Sequence, residues 1–331
     1  MNMRTTALAV AALAAPCTAY VRSAVHSRSA PPMTNVQPRM LEAAPPEGFV
    51  WATFEDTPGT PASTVLATVP PSRVVVHADA AAVGDSVWEC VEVAARAAIA
   101  SRGHFALGIP GGSVLKMLQG APSWASACTL AYVNHKAVPM GDEKLATHAK
   151  AKKLFLDSWD GVNAIIMNGS GDAAAEAAAY DAQLKALPAS VLPRDASGMP
   201  IFDMMLIGVG DDGHVGSLYP GREEVLDTSG KWVLPVEMKV PGSITLSLPV
   251  MANAKEVLIA ACGVSEKSPQ GKGAAAAKGI EGDITPSAFP AVGLRSVATW
   301  HIDMAAGGAL SSDYADSFQL TMSRGDCNPP S

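Results

Sequence analysis

Residues 201–221 read IFDMMLIGVGDDGHVGSLYPG, an apolar run that breaks into glycines and delivers Asp212 and His214 together. The run 202–207 has the length and apolar content of a strand buried in a parallel sheet. Gly208, Gly210 and Gly213 predict a tight strand-to-helix turn after it. Open α/β sheets bind ligands outside the carboxyl ends of their strands, where such turns lie. A carboxylate and an imidazole two residues apart there form a candidate acid/base pair. Residues 208–213 also satisfy the G-x-G-x-x-G pattern of dinucleotide sites. Asp211 and Asp212 would set two negative charges where a pyrophosphate must settle, so electrostatics disfavour that reading. The plainer alternative is that Asp212 merely caps the following helix and His214 is an ordinary first-turn residue.

On either side, short β-like runs alternate with longer helical stretches. Candidate strands are 74–77, 105–109, 129–133, 164–167, 202–207, 244–248, 256–261 and 297–302. Helical candidates are 80–101, 113–119, 144–158, 173–186, 214–218 and 265–278, with Ala-rich faces suited to close packing. The alternation predicts an α/β fold with a Rossmann-like, open, mainly parallel sheet and helices on both faces. After 105–109 comes Pro110-Gly111-Gly112-Ser113, where backbone N–H groups and a hydroxyl can approach an anion at a helix start. The Gly-Lys-Ser/Thr ending of a nucleoside-triphosphate loop is missing, so a sugar phosphate fits better. The plainer reading of this stretch is a glycine turn into a Ser-capped helix.

A chain of 331 residues, 48% apolar and 17% charged, can bury a core without staples. Its net charge of −7 and lack of a long Lys/Arg run exclude nucleic acid as the expected partner. Cys17, Cys90, Cys128, Cys262 and Cys327 are scattered without metal-ligand or disulfide-framework spacing, so neither a zinc site nor a disulfide scaffold is indicated, and acid/base chemistry by Asp212 and His214 calls for no metal or organic cofactor. Cys90, Cys128 and Cys262 sit in apolar stretches and read as core residues. Residues 1–41 contain no acidic side chain. Residues 1–19 read as a signal-like segment too short to span a bilayer, and 20–41 as an acid-poor transit-like segment. Such a bipartite presequence points to a plastid, with secretion and mitochondrial import as alternatives, and leaves no membrane segment in the mature form. Residues 42–72 read as a linker, 73–310 as the catalytic domain and 311–331 as a loose tail.

Four ordered motifs resemble the 6-phosphogluconolactonase family, within the wider glucosamine-6-phosphate isomerase-like superfamily. LGIPGGSVLKML resembles its sugar-phosphate loop. IGVGDDGHVGSLYPG matches its signature, with Asp212, Gly213, His214, Ser217, Leu218 and Pro220 in place. SITLSLPVMANAKEVLIAACGVSEK is similar to the strands and Gly-x-x-x-Lys run that follow, which puts Lys267 at the family's basic position. PAVGLRSVATWHIDMAAGGAL resembles the closing strand and helix. Two departures stand out. Asn134-His135-Lys136 replaces the usual Asp-Glu-Arg, and Ser243 replaces the Arg that commonly precedes the Ile-Thr strand. Phosphate binding is therefore expected from Lys136, Lys267, the Gly111, Gly112 and Ser113 amides and Arg295.

The resemblance implies hydrolysis of a small sugar-phosphate lactone, 6-phospho-D-glucono-1,5-lactone, to 6-phosphogluconate in the oxidative pentose phosphate pathway. His214 would act as general base on water, with Asp212 orienting its ring, and Gly213 and Ser217 would belong to the substrate pocket. One rival is an aldose–ketose isomerase/deaminase, which needs further carboxylates that Asn134 and the Ser217-Leu218-Tyr219-Pro220 run do not supply. The other is a catalytically silent sugar-phosphate binding module. Oligomeric state is left open by the sequence.

Overall fold

The computed structural model describes residues 73–264 and 271–311, all within one compact unit, Pro45–Ser331. The predicted presequence and linker, the tail beyond Ser311 and Lys267 lie outside the described residues. In chain order the first elements are β1 (Arg73–His77), α1 (Ala80–Arg102), β2 (Phe105–Ile109), β3 (Cys128–Tyr132), β4 (Asn134–Lys136) and α2 (Thr147–Leu154). Next come β5 (Asn163–Ile165), α3 (Ala173–Ala186), β6 (Met204–Gly208), β7 (Val233–Val236) and β8 (Ser243–Leu246). The last are α4 (Leu248–Ala252), β9 (Glu256–Ala261), α5 (Gly273–Glu281), β10 (Ala298–Asp303) and α6 (Met304–Gly307).

Seven strands form a parallel sheet in the order β1-β10-β9-β6-β2-β3-β5. Every residue of β2 and β3 is buried, as a sheet covered on both faces requires. Adjacent residues of β10 show the two coverings. Trp300 lies against Gly279 of α5, whereas the His301 ring reaches Ser86 of α1. Successive strand side chains point to opposite faces, so α1 and α5 lie on opposite sides. The predicted fold class therefore holds. Asp79 caps α1 by accepting from the Ala82 N–H, and Gly103, with a φ of 79°, ends it. Cys128 is buried, while Cys90 and Cys262 are half-buried; desolvation raises all three thiol pKa values, that of Cys262 to about 11.

Four sequence expectations need correction. The strand expected over 244–248 is β8, which ends at Leu246 before α4 begins and belongs to a separate three-stranded antiparallel sheet, β4-β8-β7, and not to the parallel one. Its short edge strands β4 and β7 went unpredicted, since one reads Asn-His-Lys and the other carries Pro235. The helix expected over 113–119 is a 3-10 turn, Gly112–Met117, and the one over 144–158 shrinks to α2. Asp142 delays the latter by accepting from the N–H groups of Lys144 and Leu145, both at 2.9 Å. Finally, no helix occupies 214–218. Left-handed backbone at Gly213 (φ 85°) and Gly216 (φ 58°) interrupts any helix, and isolated bridges Val209–Val215 and Val215–Leu218 fold the segment back on itself.

Strand order locates the ligand crevice. From β2 the chain proceeds outward to β3 and β5, then returns to place β6 beside β2 before moving the other way to β9 and β10. The gap between β2 and β6 is thus the topological switch point, where open α/β sheets bind ligands. Leu107 pairs with Met204 and Gly108 with Met205, so the loops beginning at Pro110 and Val209 leave the sheet side by side.

Candidate active site

The loop after β6 carries the predicted pair. His214 Nδ1 lies 2.6 Å from Asp212 Oδ1, and the same oxygen accepts from the His214 N–H at 3.2 Å. An imidazole Nδ1–H donating to a carboxylate leaves Nε2 with its lone pair, the arrangement a general base needs. Desolvation pushes the Asp212 carboxyl up, but the hydrogen bonds from His214 and the attraction of its ring outweigh this and hold it below the ordinary carboxylate range. The imidazole stays accessible, its side chain 34% exposed. Gly210 makes the turn possible: its N–H donates to the His214 carbonyl at 2.9 Å, and a Cβ there would fall among the imidazole atoms. Behind the loop, Phe289 packs on Gly213, and the Ala291 N–H donates to the Gly213 carbonyl at 3.0 Å. Lys272 pairs with Asp211 at 2.6 Å, so the second acidic residue of the motif is engaged at the rim.

Asn134 joins the two loops across the switch point. Its Oδ1 accepts from the Gly111 N–H at 3.3 Å, and its Nδ2 donates to Ser217 Oγ at 3.3 Å. The Ser217 N–H donates in turn to Thr245 Oγ1 at 3.1 Å. Gly111 and Ser217 therefore brace the crevice, while Gly112 and Ser113 are exposed at the head of their 3-10 turn. The neighbouring His135 is buried between the Lys136 carbonyl, 2.7 Å from Nδ1, and the His148 N–H, which donates to Nε2 at 3.0 Å. Burial, only partly offset by the bond to Lys136, pushes its pKa down to about 4, so it is a neutral strut between β4 and α2.

Lys136 is half-exposed at the end of β4. Arg295, an expected phosphate ligand, instead donates to the carbonyls of Gly279, Lys278 and Gly282 at the end of α5. A guanidinium that satisfies the last carbonyls of a helix serves as its cap. Sequence reasoning missed Tyr219 and Lys239. The Tyr219 ring packs against the His214 ring, centroids 4.8 Å apart, and Lys239 Nζ lies 4.3 Å above the Tyr219 ring and 3.3 Å from its hydroxyl. Tyr219 was legible only as part of a motif, and Lys239 carried no local signal.

A carboxylate-oriented imidazole at the switch point of a doubly wound parallel sheet, with lysines nearby, defines a class of α/β enzymes acting on anionic small molecules. A family model described as glucosamine-6-phosphate isomerases/6-phosphogluconolactonase matches residues 78–298, and the chain belongs to that family. It is 28% identical to the 6-phosphogluconolactonase of Rattus norvegicus over 262 residues, 74% of this chain and 96% of that protein. It is 29% identical to 6-phosphogluconolactonase 3, chloroplastic, of Arabidopsis thaliana, across 63% of this chain and 66% of the relative. Among solved structures, 6-phosphogluconolactonase from Leishmania guyanensis superposes with a TM-score of 0.61 at 21% identity, covering 73% of this chain and 99% of that one, which shows a shared fold.

Proposed function

We propose that this protein is a 6-phosphogluconolactonase that hydrolyses 6-phospho-D-glucono-1,5-lactone to 6-phosphogluconate, the lactone-opening step of the oxidative pentose phosphate pathway. The observation that carries the reading is the 2.6 Å Asp212–His214 pair at the mouth of the β2/β6 crevice. Nε2 of His214 takes a proton from water as its oxygen bonds to the lactone carbonyl carbon, and Asp212 stabilises the imidazolium that forms. Collapse of the tetrahedral oxyanion breaks the bond from that carbon to the ring oxygen, which receives the proton back from His214. We assign the N–H groups of Gly112 and Ser113 to negative charge on the substrate, which the exposure of both residues at the head of the 3-10 turn supports.

Asn134 supports hydrolysis over isomerisation, because a proton shuttle at sugar carbons needs a carboxylate where this amide braces Gly111 and Ser217. A binding-only role has no use for an imidazole held by a carboxylate. We further assign the mature protein to a plastid: a chloroplastic relative and the signal-then-transit composition of residues 1–41 support this. Purified protein lacking residues 1–41 is expected to hydrolyse the lactone and not to convert glucosamine 6-phosphate. His214→Ala should lower kcat by on the order of 10²–10⁴ with an unchanged urea midpoint. Near-normal turnover in that variant would remove His214 from the mechanism.

A further inference from the structure

We infer that Lys239, on the hairpin joining β7 to β8, completes with Lys136 and Lys150 a three-lysine seat for the substrate's phosphate, standing in for the guanidinium absent at position 243. The inference rests on the lactonase reading for the identity of the anion, but on this chain's own geometry for the seat.

Three elements bring these ammonium groups toward one place. β3 continues through Val133 directly into β4, so Lys136 lies beyond the carboxyl end of the parallel sheet, on the side where the crevice opens. Lys136 pairs with Ser243 across β4 and β8, and Ser243 pairs with Val236 across β8 and β7. The hairpin that follows Val236 is tied back by the Ala137 N–H, which donates to the Gly242 carbonyl at 2.9 Å. Residue 243 itself is a buried serine with no charge to offer. Lys239, exposed in that hairpin, instead reaches back over Tyr219, whose ring touches His214. Lys150 sits on α2, which is fixed beside β4 by the His148–His135 bond and beside the glycine loop by Thr147, whose Oγ1 would be 3.2 Å from a Cβ on Gly111.

Charge makes the grouping unusual. Among the described residues, the lysine ion pairs involve Lys152, Lys185, Lys255 and Lys272, and none involves Lys136, Lys150 or Lys239. Desolvation, followed by the repulsion of Lys239 and of Lys150, lowers the pKa of Lys136. Like charges gathered without an ion pair in a protein of net charge −7 are offset by an anion, and a phosphate monoester offers nearly two negative charges and three acceptor oxygens. Lysines supply this as mobile point charges, where an arginine would have imposed a fork. Since Lys239 rests on the ring that packs on His214, phosphate capture and placement of the base share one stack of groups.

The test uses protein lacking residues 1–41 and two readouts. Calorimetric titration with 6-phosphogluconate and with inorganic phosphate measures binding without turnover. Steady-state hydrolysis of the phosphorylated lactone and of glucono-1,5-lactone gives the ratio of their kcat/KM values. Lys239→Met should weaken 6-phosphogluconate binding about tenfold and lower that ratio about tenfold, the loss of one charge-assisted contact. Lys150→Met should act in the same direction, and Lys239→Arg should restore most of the ratio. A general structural lesion would depress both substrates and leave the ratio unchanged. Unaltered binding and ratio in Lys239→Met, with an active parent, would overturn the seat alone. A parent that binds 6-phosphogluconate through Lys239 yet opens neither lactone would overturn the lactonase reading and leave the seat standing.

Discussion

Gly210→Ala separates the catalytic geometry from stability more sharply than removal of His214 does. Gly210 has no positive φ, so alanine fits its backbone, and a Gly-to-Ala change at a compatible position stabilises by about 0.4–1 kcal/mol through the unfolded chain. The added Cβ, however, would fall within the imidazole of His214 and 2.6 Å from Asp212 Oδ1. The imidazole atoms would lie 2.0 and 2.2 Å from that Cβ, so relief to ordinary contact requires the ring to move by more than about 1 Å and the carboxylate by somewhat less, and both are side-chain ends that can rotate away. A misplacement of that size costs on the order of 10²-fold in rate. The expected result is a kcat for lactone hydrolysis reduced about a hundredfold, with a urea midpoint at or slightly above that of the parent. A kcat within about twofold of the parent would refute the requirement for the observed Asp212–His214 geometry. A large fall in the midpoint would show that the backbone, and not the pair, absorbs the clash. Gly213→Ala provides the contrast: its φ of 85° and the Phe289 ring behind it predict a loss of stability along with activity.

Two further outcomes test the frame that holds the crevice. Asp203, buried, accepts from Arg102 Nη1 at 2.5 Å and from the Ala106 N–H at 2.8 Å, and pairs with Lys255 at 3.0 Å. Asp203→Ala strands a largely buried guanidinium and should cost about 3–5 kcal/mol in urea unfolding, with less than 1 kcal/mol contradicting the assignment. His135 and His301 are buried, desolvation foremost pushing the pKa of each down to about 4. Because the unfolded chain binds their protons first, stability is full above pH 6.5 and falls as the pH drops from 6.5 toward 4, by about 3 kcal/mol for each histidine. Denaturation midpoints at pH 7, 6 and 5 check this, and equal midpoints at 7 and 5 would exclude it. His301→Gln should flatten its share of the slope.

Patterns that depend on near neighbours were readable along the chain. The 80–101 helix appears as α1 because its cap, its apolar face and its terminal glycine are all local. Strands 105–109 and 256–261 appear with those bounds because buried parallel strands are continuous apolar runs. Segment 214–218 was misread for a reason equally local. Glycines at 213 and 216 permit both helix entry and left-handed reversal, and packing of Gly213 on Phe289 and of Gly216 on Thr245 selects the reversal. β4 and β7 were invisible because each is stabilised by β8 or by a distant side chain, such as Asp181, which accepts from the N–H groups of Trp232 and Val233.

Sequence alone determined the alternation that makes a parallel α/β sheet, the family motifs, and the closeness of Asp212 to His214, since two residues of chain cannot separate them. Tertiary structure decided which other groups join them. Asn134 bridges Gly111 and Ser217, Arg295 is drawn away to cap α5, and Lys239 arrives over Tyr219 from a hairpin twenty residues on. The physical reason is that backbone pairing and burial set those positions, and both are properties of segments that meet only after the sheet has formed.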